Sequence, residues 1–158
     1  DSDNYISNDT LEVMKNLDLE KGICYLPSKV NLIDHGLDKS LDGVIKNFNF
    51  GLVDVDVCKE HIKANNRDIR WFVNVGNFIV NRDDYVNAIE SVYNNKDYPF
   101  FEADAIAFTY NWFKAGYKLK SVDGLCHNHI TRPDSYSHSV GNKNWMSIEY
   151  HLKKILEL

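Results

Sequence analysis

Three short groups of residues carry most of the chemically active side chains of this sequence. They are Asp1-Ser2-Asp3, Glu102-Ala103-Asp104 and Cys126-His127-Asn128-His129. Side chains two positions apart on an extended chain point to the same side, so the carboxylates of the first group are predicted to face one space. Carboxylate oxygens of this kind suit Mg²⁺ or Mn²⁺ holding a diphosphate. The alternative is a solvated surface loop without any ligand.

The second group precedes an apolar stripe that predicts a helix over about 103–115. Gly116 follows the stripe, in the position where a left-handed residue closes a helix. Glu102 and Asp104 therefore lie at a helix N-terminus, where the helix dipole favours their ionised forms. Two interpretations stay open, a helix cap and a pair of reactive carboxylates. The stripe consists of Ile106, Tyr110 and Phe113.

The two histidines of the third group follow an alternating stretch, 117–125, that predicts a strand. His127 and His129 then share one face of that strand, as a pair of metal ligands does. The alternative is that they are structural residues near a strand end. A further strand is predicted over 70–80, rich in β-forming residues. Its Trp71, Gly76 and Asn77 are candidate substrate-binding residues, together with Ser2. At Gly76, the absence of a side chain would let a ligand approach the backbone closely.

The remaining elements predict an α/β domain in which a central sheet is flanked by helices. Apolar residues at helical spacing predict helices at about 9–17, 83–94 and 144–156. Strands are predicted at 22–26 and 50–57, and a polar excursion without regular structure at 34–49. Asp54 and Asp56 form a second Asp-x-Asp pattern, which we interpret as the wet face of the strand at 50–57.

Composition limits the class of protein. The 158 residues are 44% hydrophobic, which suits one domain with a sizeable core. A net charge of -5 argues against a broad nucleic-acid surface. No apolar run approaches the roughly 18 residues of a membrane span. Three cysteines without CxxC spacing fit free thiols in a reducing compartment, so we expect a cytoplasmic protein. From the charge and the apolar runs we expect neither a nucleic-acid partner nor a membrane span.

Taken together, the order of these motifs resembles the nucleotide-sugar glycosyltransferases of the GT-A fold, especially the inverting family 2. The resemblance covers about 1–130 and is strongest over 74–129. It is carried by Asp1-Ser2-Asp3, by the step from Gly76 to Asp84, by the acidic motif before Lys114-Ala115-Gly116-Tyr117-Lys118, and by the strand ending in histidine. It implies a Rossmann-like mixed sheet flanked by helices. Residues 1–158 would form a single domain, the metal- and acceptor-binding part of such an enzyme.

The family's nucleotide-binding half precedes its Asp-x-Asp motif and is not contained in 1–158. We therefore expect transferase activity to need residues before Asp1. The resemblance further implies a UDP- or GDP-linked sugar donor and an acceptor that is a glycan or carries another hydroxyl group. A non-catalytic, transferase-like binding module and a metal-dependent phosphohydrolase are the alternatives.

The resemblance also implies roles for single residues. Asp1 and Asp3 would hold Mn²⁺ or Mg²⁺ and, through it, the donor diphosphate. His127 or His129 would supply a third metal ligand. The base that deprotonates the acceptor would be Asp104 or Glu102. The family commonly has adjacent Glu and Asp, whereas Ala103 separates the two acids here, so the identity of the base stays open.

Overall fold

Two long strands form the centre of the sheet in the computed structural model, which describes residues 4–5, 8–34, 42–93, 104–131 and 142–158. Strand β2 (Ile23–Asp34) runs parallel to strand β5 (Lys118–Thr131). The register between them shifts between Pro27 and Lys29. Proline has no N–H to donate to a neighbouring strand, which accounts for the irregularity at this point.

Three shorter strands complete the described sheet. Strand β3 (Ile45–Asn47) pairs antiparallel with β2 on the outer side. Strand β4 (Leu52–Val53) pairs antiparallel with the first half of β5. Strand β1 (Asn4–Tyr5) pairs antiparallel with the second half of β5. The sheet is therefore mixed, and β5 lies inside it with partners along both sides. This confirms the predicted α/β class.

Helices cover the sheet. Their bounds are α1 Asn8–Lys15, α2 Val55–Lys63, α3 Arg67–Phe72, α4 Arg82–Tyr93, α5 Asp104–Lys114 and α6 Asn142–Glu157. The helices predicted at 9–17, 83–94, 103–115 and 144–156 are confirmed to within two residues at each end. Each has an apolar stripe at helical spacing, which the packing against the core requires.

Helix α5 is the most deeply buried of the described helices. Its predicted closure at Gly116 is confirmed, because this glycine has φ of 80° and its N–H donates to the Phe113 carbonyl oxygen at 2.9 Å. The indole N–H of Trp112 donates to the carbonyl of Lys118 at 2.8 Å, which ties α5 to the start of β5. The buried residues of α5 are Ala105, Ile106, Ala107, Phe108, Thr109, Asn111, Trp112 and Phe113.

The prediction of a strand at 70–80 is wrong. Residues Arg67–Phe72 form α3 instead, and only Ile79 makes a β-bridge, to Tyr25. The side chain of Asn66 accepts a hydrogen bond from the Asp68 N–H at 2.9 Å and so caps α3. Burial of Ile69 and Phe72, three positions apart, then favours helix over the β-forming tendency of the sequence.

The strand predicted at 50–57 is also largely wrong, because it ends at Val53. The side chain of Asp54 caps α2 by accepting from the Val57 N–H at 3.0 Å. Asp56 lies exposed in the first turn of the same helix. The second Asp-x-Asp pattern is therefore a helix start rather than the wet face of a strand. Within the predicted excursion at 34–49, the described residues include β3, and 35–41 lie outside the described residues.

Helix α1 packs across β5 at Gly124. This glycine has φ of 83°, and a Cβ built on it would lie 2.8 Å from Cγ2 of Val13 in α1. Any larger residue would meet both a strained backbone and a collision. The close approach brings α1 over the second half of β5, where the histidines lie.

Candidate functional site

The carboxyl half of β5 carries the two histidines of the predicted metal site. His127 is only 5% exposed, and its Nδ1 lies 2.6 Å from Nδ2 of Asn77. With the amide nitrogen donating to Nδ1, the imidazole proton resides on Nε2. For Nε2 to bind a metal, the amide must turn so that its oxygen accepts from Nδ1–H, as partners of metal-bound histidines do. Asn77 thus selects which His127 nitrogen is available.

His129 lies on the same face of β5 as His127, as predicted. The two imidazole rings are 5.5 Å apart between centroids. Burial, together with a smaller effect of the neighbouring His129, lowers the pKa of His127 to about 4. His127 is therefore neutral at pH 7. A neutral imidazole is the form that binds a metal ion or accepts a proton.

The Asp-x-Asp motif approaches these histidines through strand β1. Asn4, the residue after Asp3, pairs with His129, and Tyr5 pairs with Asn128. On the other side of β5, the amide of Asn31 in β2 donates to Oδ1 of Asn128 at 3.2 Å. Asp1, Ser2, Asp3 and Glu102 themselves lie outside the described residues, so their roles, and the closeness of Asp3 to His127, stay predictions.

Asp104 is the first residue of α5 and is exposed. Its Oδ1 accepts a hydrogen bond from the Ala105 N–H at 2.9 Å, which is a capping contact. One turn further on, the ring of Phe108 stacks on that of Phe78 with centroids 4.2 Å apart and planes at 2°. Phe78 directly follows Asn77, the partner of His127. The first turns of α5 therefore border the segment that contacts the histidine.

A cleft of about 210 Å³ opens beside this segment, and we call it the α1–β5 cleft. Gly76 and Asn77, two of the predicted substrate-binding residues, line it, whereas Trp71 does not. Trp71 lies on α3 with 43% of its surface exposed. The cleft is lined by residues of α1, β2, β5 and the segment before α4, namely Thr10, Met14, Pro27, Gly76, Asn77, Phe78, Ile79, Leu125 and Cys126.

Comparison with models of protein families, with curated proteins and with solved structures finds no match to this chain. The resemblance to glycosyltransferases therefore stays a prediction. Its support has to come from the geometry of the site.

The described residues do not by themselves complete a metal site. Within 4–5, 8–34, 42–93, 104–131 and 142–158, no three His, Cys, Asp or Glu side chains come together closely enough to hold a metal ion. The histidine pair supplies at most two ligands, and the Asp-x-Asp carboxylates would have to supply the rest. In the same part of the chain, no helix is both long and apolar enough to cross a membrane.

Several lining residues of the cleft had no signal in the sequence. Thr10 and Met14 belong to α1, which reaches β5 only through tertiary packing at Gly124. The Thr10 hydroxyl accepts from the Cys126 N–H at 3.3 Å and lies 3.5 Å from the Cys126 carbonyl oxygen. Among the lining residues that were not predicted, Cys126 had a signal in the sequence, because it directly precedes His127.

Proposed function

We propose that this chain is the metal- and acceptor-binding part of an inverting glycosyltransferase, which moves a sugar from a nucleotide-sugar donor to an acceptor hydroxyl group. One observation supports it above all others: Asn4 pairs with His129. Consecutive Cα atoms are about 3.8 Å apart, so under this proposal the Asp1 and Asp3 carboxylates lie at the histidine end of β5. Carboxylates and a neutral imidazole would together bind Mn²⁺ or Mg²⁺ there.

The proposed chemistry assigns one task to each side of the site. A divalent metal held by Asp1, Asp3 and a histidine offsets the charge that develops on the leaving diphosphate. Asp104, at the start of α5, removes the proton of the acceptor hydroxyl. Attack from the face opposite the diphosphate reverses the anomeric configuration. The stacking of Phe108 on Phe78 supports this assignment, because it holds the start of α5 beside Asn77 and His127.

The metal part of the proposal is tested by thermal unfolding with Mn²⁺ or Mg²⁺ and either UDP or GDP. A ligand that binds only the folded protein stabilises it by about 2.7 kcal/mol at a concentration 100 times its Kd. We expect the melting temperature to rise in the wild-type protein and not in Asp3→Ala. Asp56→Ala is the matched control, because Asp56 belongs to the second Asp-x-Asp pattern and lies in α2. An equal rise in Asp3→Ala would remove the motif from the site.

The reaction itself is tested by incubating the full-length protein, including any residues that precede Asp1, with UDP- and GDP-linked sugars and hydroxyl acceptors. A transferase releases the nucleoside diphosphate and forms a product of inverted anomeric configuration. Release of inorganic phosphate without a sugar product would instead indicate a metal-dependent phosphohydrolase. A nucleotide-dependent thermal shift without turnover would indicate a binding module.

A further inference from the structure

We draw no further inference here: the strongest candidate, the side-chain contact between Asn77 on the wall of the α1–β5 cleft and the buried His127 of β5, belongs to the site already described.

Discussion

His127 and His151 are both buried histidines with a lowered pKa, but their partners differ. In α6, Nδ1 of His151 lies 2.7 Å from the carbonyl oxygen of Ser147, one turn earlier in the same helix. Burial lowers the pKa of His151, and the bond to Ser147 opposes that change. His127 instead meets Asn77, a residue 50 positions away, and a second histidine on the same strand. The contact of His151 with Ser147 lies within one helix, whereas the contact of His127 with Asn77 joins two distant segments.

The surroundings of the two histidines also differ. The ring centroids of Tyr110 in α5 and of Tyr150 in α6 lie 6.3 Å and 5.2 Å from the ring centroid of His151. The partner of His127 borders the α1–β5 cleft. Burial and a lowered pKa therefore do not distinguish a structural histidine from a candidate site residue. Contact with a residue that lines a cleft does distinguish them, because Asn77 lines the α1–β5 cleft and the two tyrosines beside His151 do not.

The largest expected effect is that of replacing Asp104, the proposed general base, on the rate of sugar transfer. Asp104→Asn should lower the rate of sugar transfer by about 100-fold to 10,000-fold, because a general base contributes that much. Donor binding should survive, since under the proposed function the diphosphate would be held from the metal side. Turnover and nucleotide-dependent thermal shift, measured on the same samples, separate the two effects.

Glu102→Gln is the control for this change. If Glu102→Gln abolishes turnover while Asp104→Asn is nearly silent, the base is Glu102. If neither variant loses activity, the two acids are only a helix cap, as the contact between Asp104 and Ala105 already provides.

A smaller effect should separate the two histidines directly. His151→Ala should lower the free energy of unfolding by about 2 to 4 kcal/mol, the range for truncating a large buried side chain, and should leave the Mn²⁺-dependent thermal shift unchanged. His127→Ala should abolish that shift. Urea unfolding and melting with and without Mn²⁺ measure both quantities. Loss of the shift in both variants would mean that the two histidines are not functionally distinct.

The smallest expected effect is the pH dependence of stability. His127 has a pKa of about 4 in the folded protein and about 6.5 when unfolded, so between these values the unfolded chain binds the extra proton. The free energy of unfolding should therefore fall as pH is lowered from about 6.5 to 4, by at most about 3 kcal/mol from this residue. The lowered pKa of His151 acts in the same direction.

Urea unfolding at pH 7, 5.5 and 4.5 measures this dependence. Carboxylates also titrate near the lower end, so the share of His127 is the difference between the wild type and His127→Gln. Identical pH profiles for the two proteins would contradict the neutral, buried state of this histidine.

The helices could be predicted because local signals agree with the packing there. In α5, the apolar stripe and the left-handed Gly116 are both local, and both are found in the structure. The segment containing Trp71 and Phe72 could not be predicted. Its β-forming residues favour a strand, whereas the Asn66 cap and the burial of Ile69 and Phe72 favour a helix. Tertiary packing decides such conflicts, and the sequence alone does not reveal the neighbours.

The same distinction applies to the candidate site. That His127 and His129 share a face follows from strand alternation, which is local. The contact of His127 with Asn77, and the closing of the cleft by Thr10 and Met14, depend on elements far apart in the chain. Predicting the lining by Thr10 and Met14 would have required the position of α1 on β5, where Val13 closely approaches Gly124. Predicting the contact with Asn77 would have required the path of the segment before α4.

The parallel pairing of β2 with β5 also has a consequence for the folding rate. Asn31 and Asn128 are paired across these strands although they are 97 positions apart in the sequence. Closing so long a loop costs chain entropy before any sheet contact compensates for it, so such pairings form slowly. During synthesis, β2 leaves the ribosome well before β5 and has to wait for its partner with an apolar strand exposed. The helices between them can form during this interval, because the backbone hydrogen bonds of a helix are local.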